Sequence, residues 1–248
     1  MSAVVLITGA SRGIGAATAL LAARAGYAVA VNYAANSLAA DEVVRQIRQA
    51  GGNAMTVQAD VADESQVLKM FEKVDAKLGR LTALVNNAGV VDQTSRVDAM
   101  SMARFKRMFE INVYGSFVCA REAVRRMSTR HGGTGGTIVN LSSVAARLGA
   151  PGQYVDYAAA KGAIDSFTVG LAKEVAAEGI RVNAVRPGII DTDIHASGGL
   201  PDRAHEMAPQ VPMQRPGSAE EVARSILWLM SPESSYTTGT VLDVTGGR

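Results

Sequence analysis

The sequence predicts an α/β fold, a doubly wound parallel sheet of about seven strands with helices on both faces. Three observations carry that expectation. Apolar, β-rich runs alternate with amphipathic helical stretches along the whole length, as expected of strands buried on both faces and joined by crossover helices. The first apolar run ends in a glycine-rich turn that opens directly into a helical stretch. No long linker, low-complexity tract or short-period repeat breaks the order, and 248 residues at 48% hydrophobic and 19% charged suit one core, so residues 1–248 are expected to form one domain.

Taken in order, strands are expected at residues 4–8, 28–33, 54–59, 83–86, 136–142, 181–186 and 240–244. Helices are expected between them at 13–25, 38–50, 64–78, 101–130, 157–178 and 219–230. The exception is 191–216, a segment rich in Gly, Pro and Ala between the sixth strand and the last helix, whose length suggests a substrate lid.

Composition excludes several classes. With 25 Lys+Arg against 23 Asp+Glu, nothing calls for a nucleic-acid partner. A basic cluster, Arg121, Arg125, Arg126 and Arg130, reads as a solvated helix end, with docking of an acidic carrier protein as the minor alternative. Cys119 is the only cysteine, so no intrachain disulfide forms. The opening Met1 to Thr8 leaves no room for a signal peptide, and no apolar run approaches the ~20 residues of a membrane span. The expected location is cytoplasmic.

The first strand closes in Thr8-Gly9-Ala10-Ser11-Arg12-Gly13-Ile14-Gly15. Glycines there let the backbone approach a pyrophosphate, and the N–H groups of the following helix attract its charge. The same residues match a nucleophile elbow, but only one strand precedes Ser11, so the second amide of an oxyanion hole has no earlier strand-helix loop to come from. A hydrolase is set aside. The second strand ends Val31-Asn32-Tyr33-Ala34 without the carboxylate that holds the adenine ribose of NAD, whereas Arg12 is placed to meet a 2′-phosphate. NADP(H) is therefore expected over NAD(H).

Tyr157 and Lys161 stand four positions apart at the start of a predicted helix, on one face. A fixed positive charge there is expected to lower the phenol pKa and bring it into acid-base service. Tyr154 lacks a lysine at that offset.

In order and spacing these motifs resemble the short-chain dehydrogenase/reductase family, in its compact single-domain, Rossmann-type form. Thr8 to Gly15, Asp60-Val61, Asn86-Asn87-Ala88-Gly89, Asn112-Val113-Tyr114-Gly115, Ser142-Ser143, Tyr157 with Lys161, Pro187-Gly188 with Thr192, Gly239 and Gly246-Gly247 carry the resemblance over nearly the whole chain. It implies hydride transfer between nicotinamide and a ketone or secondary alcohol, with Tyr157 as acid/base, Lys161 tuning it and binding the nicotinamide ribose, a serine holding the substrate oxygen, and Asn112 anchoring a water. Gly9, Ser11, Arg12, Ile14, Asn32, Tyr33, Asp60, Val61, Asn87, Ala88, Gly89, Pro187, Gly188, Ile190 and Thr192 would line the cofactor. Ser143 is preferred over Ser142, although it precedes Tyr157 by one position more than the spacing common in the family. The extra residue is expected to bulge the loop 144–156.

The chain is similar to the bacterial branch containing 3-oxoacyl carrier-protein reductases and glucose 1-dehydrogenases, and the resemblance implies a homotetramer, built through the helices holding Asn112 and Tyr157 and through the C-terminal strand. Two alternatives stay open: a dinucleotide sensor without catalysis, and a carrier-protein reductase meeting an acidic partner at Arg126, Arg130 and Lys173. His131, His195 and His205 are not spaced as metal ligands, and no metal is expected.

Overall fold

The computed structural model describes residues 3–248, the side chain of His195 excepted. Strands β1 (Val4–Ile7), β2 (Ala28–Tyr33), β3 (Ala54–Gln58), β4 (Ala83–Asn86), β5 (Gly136–Leu141) and β6 (Ile180–Pro187) are followed by a short pair, β7 (Ile190–Asp191) and β8 (Gly217–Ser218), and by β9 (Val241–Val244). Seven of them form one parallel sheet in the order β3-β2-β1-β4-β5-β6-β9. The chain winds one way from β1 and the other way from β4, so the switch point between them opens a crevice at their C-terminal ends.

Helices α1 (Gly13–Arg24), α2 (Ser37–Gln49), α3 (Glu64–Leu78), α4 (Met102–Phe109), α5 (Gly115–Met127), α6 (Ala145–Leu148), α7 (Val155–Val175), α8 (Ile194–Ser197), α9 (Arg203–Glu206) and α10 (Ala219–Met230) cover the sheet and its upper rim. Alternation along β1 sorts the core. Leu6 joins Phe71, Leu84, Met127 and Ile138 on the face covered by α3, α5 and α7, while Val5 and Ile7 join Ala19, Ile47, Val139 and Ile226 under α1, α2 and α10. Each large side chain fully buried this way contributes about 1.5–3 kcal/mol. Cys119 belongs to the first layer, where burial pushes its thiol up to about 12 and keeps it unreactive. Among the described residues no helix is long and apolar enough to cross a membrane.

Three expectations are corrected and one, the arginine cluster, is extended. The helix expected over 101–130 is interrupted by a π turn at Glu110–Tyr114 and ends at Met127, where Ser128 turns extended and caps a 3₁₀ turn. The segment 191–216 is not an irregular loop: it carries α8 and α9, and β7 pairs with β8 across it. The arginine cluster is solvent-exposed at Arg121, Arg125 and Arg130, as expected of a helix end, and is ion-paired as well. Buried Glu122 draws in Arg121, Arg125 and Arg126, with Glu64, Asp75 and Glu178 completing the pairs, so Arg126 and Arg130 are engaged within the chain. Helix α7 starts at Val155, ahead of Tyr157 and within the same turn, and gives way to a 3₁₀ turn at Ala176–Glu178.

Candidate active site

Helices α2, α3, α4 and α10 begin at residues whose side chains cap the free amides, but α1 begins at Arg12, whose side chain makes no capping bond. The first-turn N–H groups of α1 therefore face the crevice uncapped. Glycine is required in front of them. Gly9 has φ +61, and a Cβ there would come within 2.9 Å of the Ala88 backbone; at Gly15 it would stand 2.5 Å from Asn87 Nδ2 and 2.6 Å from the Gly9 carbonyl. The turn and the end of β4 are laced together. The Thr8 hydroxyl accepts the amides of Asn87 and Ala88 at 3.0 Å, and Asn87 Nδ2 donates to the Thr8 and Gly9 carbonyls.

A groove of about 530 Å³ runs over this turn, lined by Gly9, Ser11, Arg12, Ile14, Tyr33, Asp60 and Val61 at one end and by Asn87, Ala88, Gly89 and Thr192 at the other. Its shape fits a dinucleotide: a backbone cradle that any Cβ would fill, at a helix start with free donors. At its far end the residues after β2 offer no carboxylate, and the exposed Arg12 reaches across to donate to Ser197 Oγ at 3.2 Å. Asn32 lines the groove but its amide is spent on the backbone, taking the Gly9 N–H at 3.1 Å and donating to the Val57 and Ala59 carbonyls, so it shapes the turn. Asp60 is held by the Ala62 amide, and Val61 packs so closely on Gly115 that a Cβ at Gly115 would lie 2.7 Å away.

The groove continues into a second cavity of about 390 Å³, with Ile14, Asn87, Gly89, Thr192 and Ile194 lining both. Ser142, Ser143, Tyr157, Lys161, Pro187, Gly188 and Ile190 wall it. The two serines divide. Ser142 is buried and donates to the Lys161 carbonyl at 3.2 Å, whereas Ser143 opens on the cavity and hydrogen-bonds the Tyr157 phenol. The longer loop to Tyr157 is taken up by α6 and a turn at Ala150, a non-glycine residue at φ +43 whose carbonyl receives the amides of Gln153 and Tyr154.

Electrostatics here depart from the sequence expectation. Burial pushes the Tyr157 phenol up to about 12, opposed only by the Ser143 hydrogen bond; the lysine does not bring it down. Lys161 Nζ stands 5.6 Å from the phenol ring centroid and spends a donor on the Leu141 carbonyl at 2.7 Å. Its own pKa is pushed down to about 8 by burial, with Asp165 one turn on holding it up. Desolvation of both groups outweighs their mutual attraction. Asn112, fully buried in the π turn, accepts the Val90 N–H at 3.2 Å and returns Nδ2 to the Val90 and Met108 carbonyls. That clamps Gly89 and Val90 against the lysine: a Cβ at Gly89 would lie 2.8 Å from Asn112 Oδ1 and 3.5 Å from Lys161 Nζ.

Sequence motifs gave no signal for Gln153, Arg203 or Arg248 in this cavity, because α9 and the chain end meet it only after folding. Of the histidines, His205 pairs with Asp191 at 3.5 Å, and the side chain of His195 lies outside the described residues.

Residues 9–248 match the family profile described as Enoyl-(Acyl carrier protein) reductase. The chain is 56% identical over 246 residues to the Escherichia coli K12 protein named "Uncharacterized oxidoreductase YgfF", covering 99% of this chain and 100% of that one. It is 40% identical to a 3-oxoacyl-[acyl-carrier-protein] reductase of Synechocystis, over 98% of this chain and 96% of the relative. A solved short-chain dehydrogenase/reductase of Serratia marcescens superposes with a TM-score of 0.91 at 33% identity, covering 99% and 97% of the two chains. With the nucleotide-shaped groove and the tyrosine-lysine cavity already defined, the chain belongs to the short-chain dehydrogenase/reductase family of oxidoreductases, which use nicotinamide cofactors.

Proposed function

We propose that this protein is an NADP(H)-dependent reductase of ketones, reversible to secondary alcohols, with Tyr157 as the proton donor. The observation that carries the reading is the meeting of Ser143, Tyr157 and Lys161 in one cavity that is continuous with the glycine-turn groove. Bound nicotinamide would supply the hydride to the carbonyl carbon. Gly9, Ser11, Ile14 and the uncapped start of α1 would hold the pyrophosphate, Arg12 the 2′-phosphate, with Tyr33, Asp60 and Val61 about the adenosine; Asn87 to Gly89, Pro187, Gly188, Ile190 and Thr192 would enclose the nicotinamide end.

The chain's own residues then do acid work. A phenol pushed up to about 12 is fully protonated near neutrality, so its Oη holds the proton that the carbonyl oxygen takes as the carbon is reduced. Ser143 donates to the same oxygen and orients it. Lys161, still largely an ammonium near neutrality with its pKa pushed down to about 8, stands over the edge of the same site and would favour the phenolate left behind once the proton has gone. Asn112 acts through Gly89 and Val90, keeping them against the lysine, and a water on Asn112 would return the proton from solvent. The segment 191–216, tied to the turn through Arg12 and Ser197, serves as the lid of one dinucleotide-binding domain. We take the assembly to be a cytoplasmic homotetramer.

The reading is tested by titrating NADPH and NADH and following oxidation of each with a panel of ketones. NADPH is expected to bind more tightly, and Arg12→Glu to weaken NADPH roughly tenfold or more while leaving NADH nearly unaffected. A sensor would bind without turnover, and equal affinity for the two cofactors would remove the role given to Arg12.

A further inference from the structure

The wall of the substrate cavity beyond Tyr157 carries two arginines, Arg203 and Arg248, and among the described residues no Asp or Glu lines the cavity. Arg203, on α9, lies over the Tyr154 ring at 5.4 Å and donates one N–H to Gln153 Oε1 at 2.7 Å. Arg248 is brought to the same wall because the Gly246 carbonyl takes the Met213 amide, and because a Cβ at Gly246 or Gly247 would run into Val211 or Pro212. Among the described residues no Asp or Glu side chain pairs with either guanidinium, although most other arginines around the lid and rim, such as Arg104, Arg147, Arg186 and Arg215, do have one. The two are close enough that Arg203, after burial, disfavours the charge on Arg248.

Two partly buried like charges side by side are unfavourable unless something negative joins them. The groove that would take the cofactor does not include either residue, so a cofactor phosphate at Arg12 leaves them unmatched. A guanidinium stacked on a ring with one N–H engaged still presents further donors in a plane, the geometry that receives a carboxylate in two-pronged fashion. Tyr154 stands immediately before α7 and Tyr157 in its first turn, and both line the same cavity as Arg203 and Arg248, so the cationic end and the phenol end share one space. We propose that Arg203, with Arg248 beside it, forms a subsite for a carboxylate carried by the substrate, making the preferred substrates oxo acids or hydroxy acids in which the acid lies a few carbons from the reacting carbon. The proposal rests on the oxidoreductase reading above for the reacting end, but the anion subsite is a separate claim. The lid helix α9 then contributes specificity, since an anionic substrate ties it to the cavity floor.

The test uses 4-oxopentanoate, 5-oxohexanoate and 4-oxocyclohexanecarboxylate, each paired with its methyl ester, so that shape is held while charge is removed. Binding to the whole protein with NADP is measured by calorimetry, and reduction by NADPH consumption. At least one acid is expected to bind roughly ten- to a hundredfold more tightly than its ester, the size of a lost charge-assisted hydrogen bond. In Arg203→Gln that acid-to-ester ratio should fall to near one, and in Arg248→Gln it should fall in part. Arg45→Gln, at an exposed surface pair with Glu42, should leave it intact. Acids and esters binding alike, or a ratio unmoved in Arg203→Gln, would overturn the subsite. Tight binding of acids without turnover would instead support the subsite and count against the reductase reading.

Discussion

At the scale of single residues the site is governed by dehydration. Tyr157 and Lys161 share one cavity, and burial shifts each toward its neutral form, the phenol up to about 12 and the ammonium down to about 8. Lys161 therefore has a measurable signature. Between pH ~8 and its unfolded value near ~10.4, the unfolded chain binds the lysine proton and the folded chain does not, so folding stability gains from this group as pH rises through that window. Lys161→Met should accordingly be more stable than the parent near pH 7 by up to ~3 kcal/mol, less the cost of leaving the Leu141 carbonyl unpaired, and the advantage should shrink as pH rises past about 8 and be gone above about pH 11. Urea denaturation of both proteins across this range checks it; a difference independent of pH would mean the ammonium is not buried. The residue pair itself was visible in the sequence, but the direction of the phenol shift was not, because desolvation depends on side chains that reach the cavity from β5, β6 and the lid.

At the scale of elements, the glycine turn and the π turn set the geometry. Gly15→Ala would drive its Cβ into Asn87 Nδ2 and the Gly9 carbonyl, both fixed by backbone pairing, and is expected to lower stability by about 1–3 kcal/mol and to weaken cofactor binding in step. Thermal unfolding with and without NADP checks this; an unchanged cofactor affinity would show that the turn is not the pyrophosphate cradle. Most elements were legible in advance because apolar runs with a period of two or 3.6 fix them locally, as in β1, where Val5 and Ile7 face one layer and Leu6 the other. The π turn was not, since one extra residue shifts the apolar pattern of residues 101–130 by a single position, too small a slip to break the helical stripe visibly. Nor were β7 and β8, two residues each, whose pairing depends on the chain returning across the lid.

At the scale of the whole molecule, charges and apolar surface do different jobs. A chain of ion pairs, Arg147 with Asp243, Asp243 with Arg186 and Arg186 with Asp165, links the loop after Ser143, the last strand, β6 and the helix bearing Lys161. Elsewhere apolar side chains stay on the outside: Tyr114 and Phe117 are 58% and 43% exposed at the start of α5, with Phe117 stacked on Phe167 of α7. An outer face of this kind suits the proposed assembly through α5 and α7. Sedimentation velocity should give a tetramer for the parent protein and a smaller species for the pair Tyr114→Glu and Phe117→Glu, whereas a monomeric parent would refute the assembly. Periodicity could not reveal this surface, because the same apolar residues would read as core.

The central claim is that the Tyr157 phenol gives up the proton. Tyr157→Phe removes only the hydroxyl, so the protein should fold and bind NADPH as before while NADPH oxidation with the best ketone falls by roughly 10²- to 10⁴-fold. Turnover within about twofold of the parent, at equal cofactor affinity, would contradict the account.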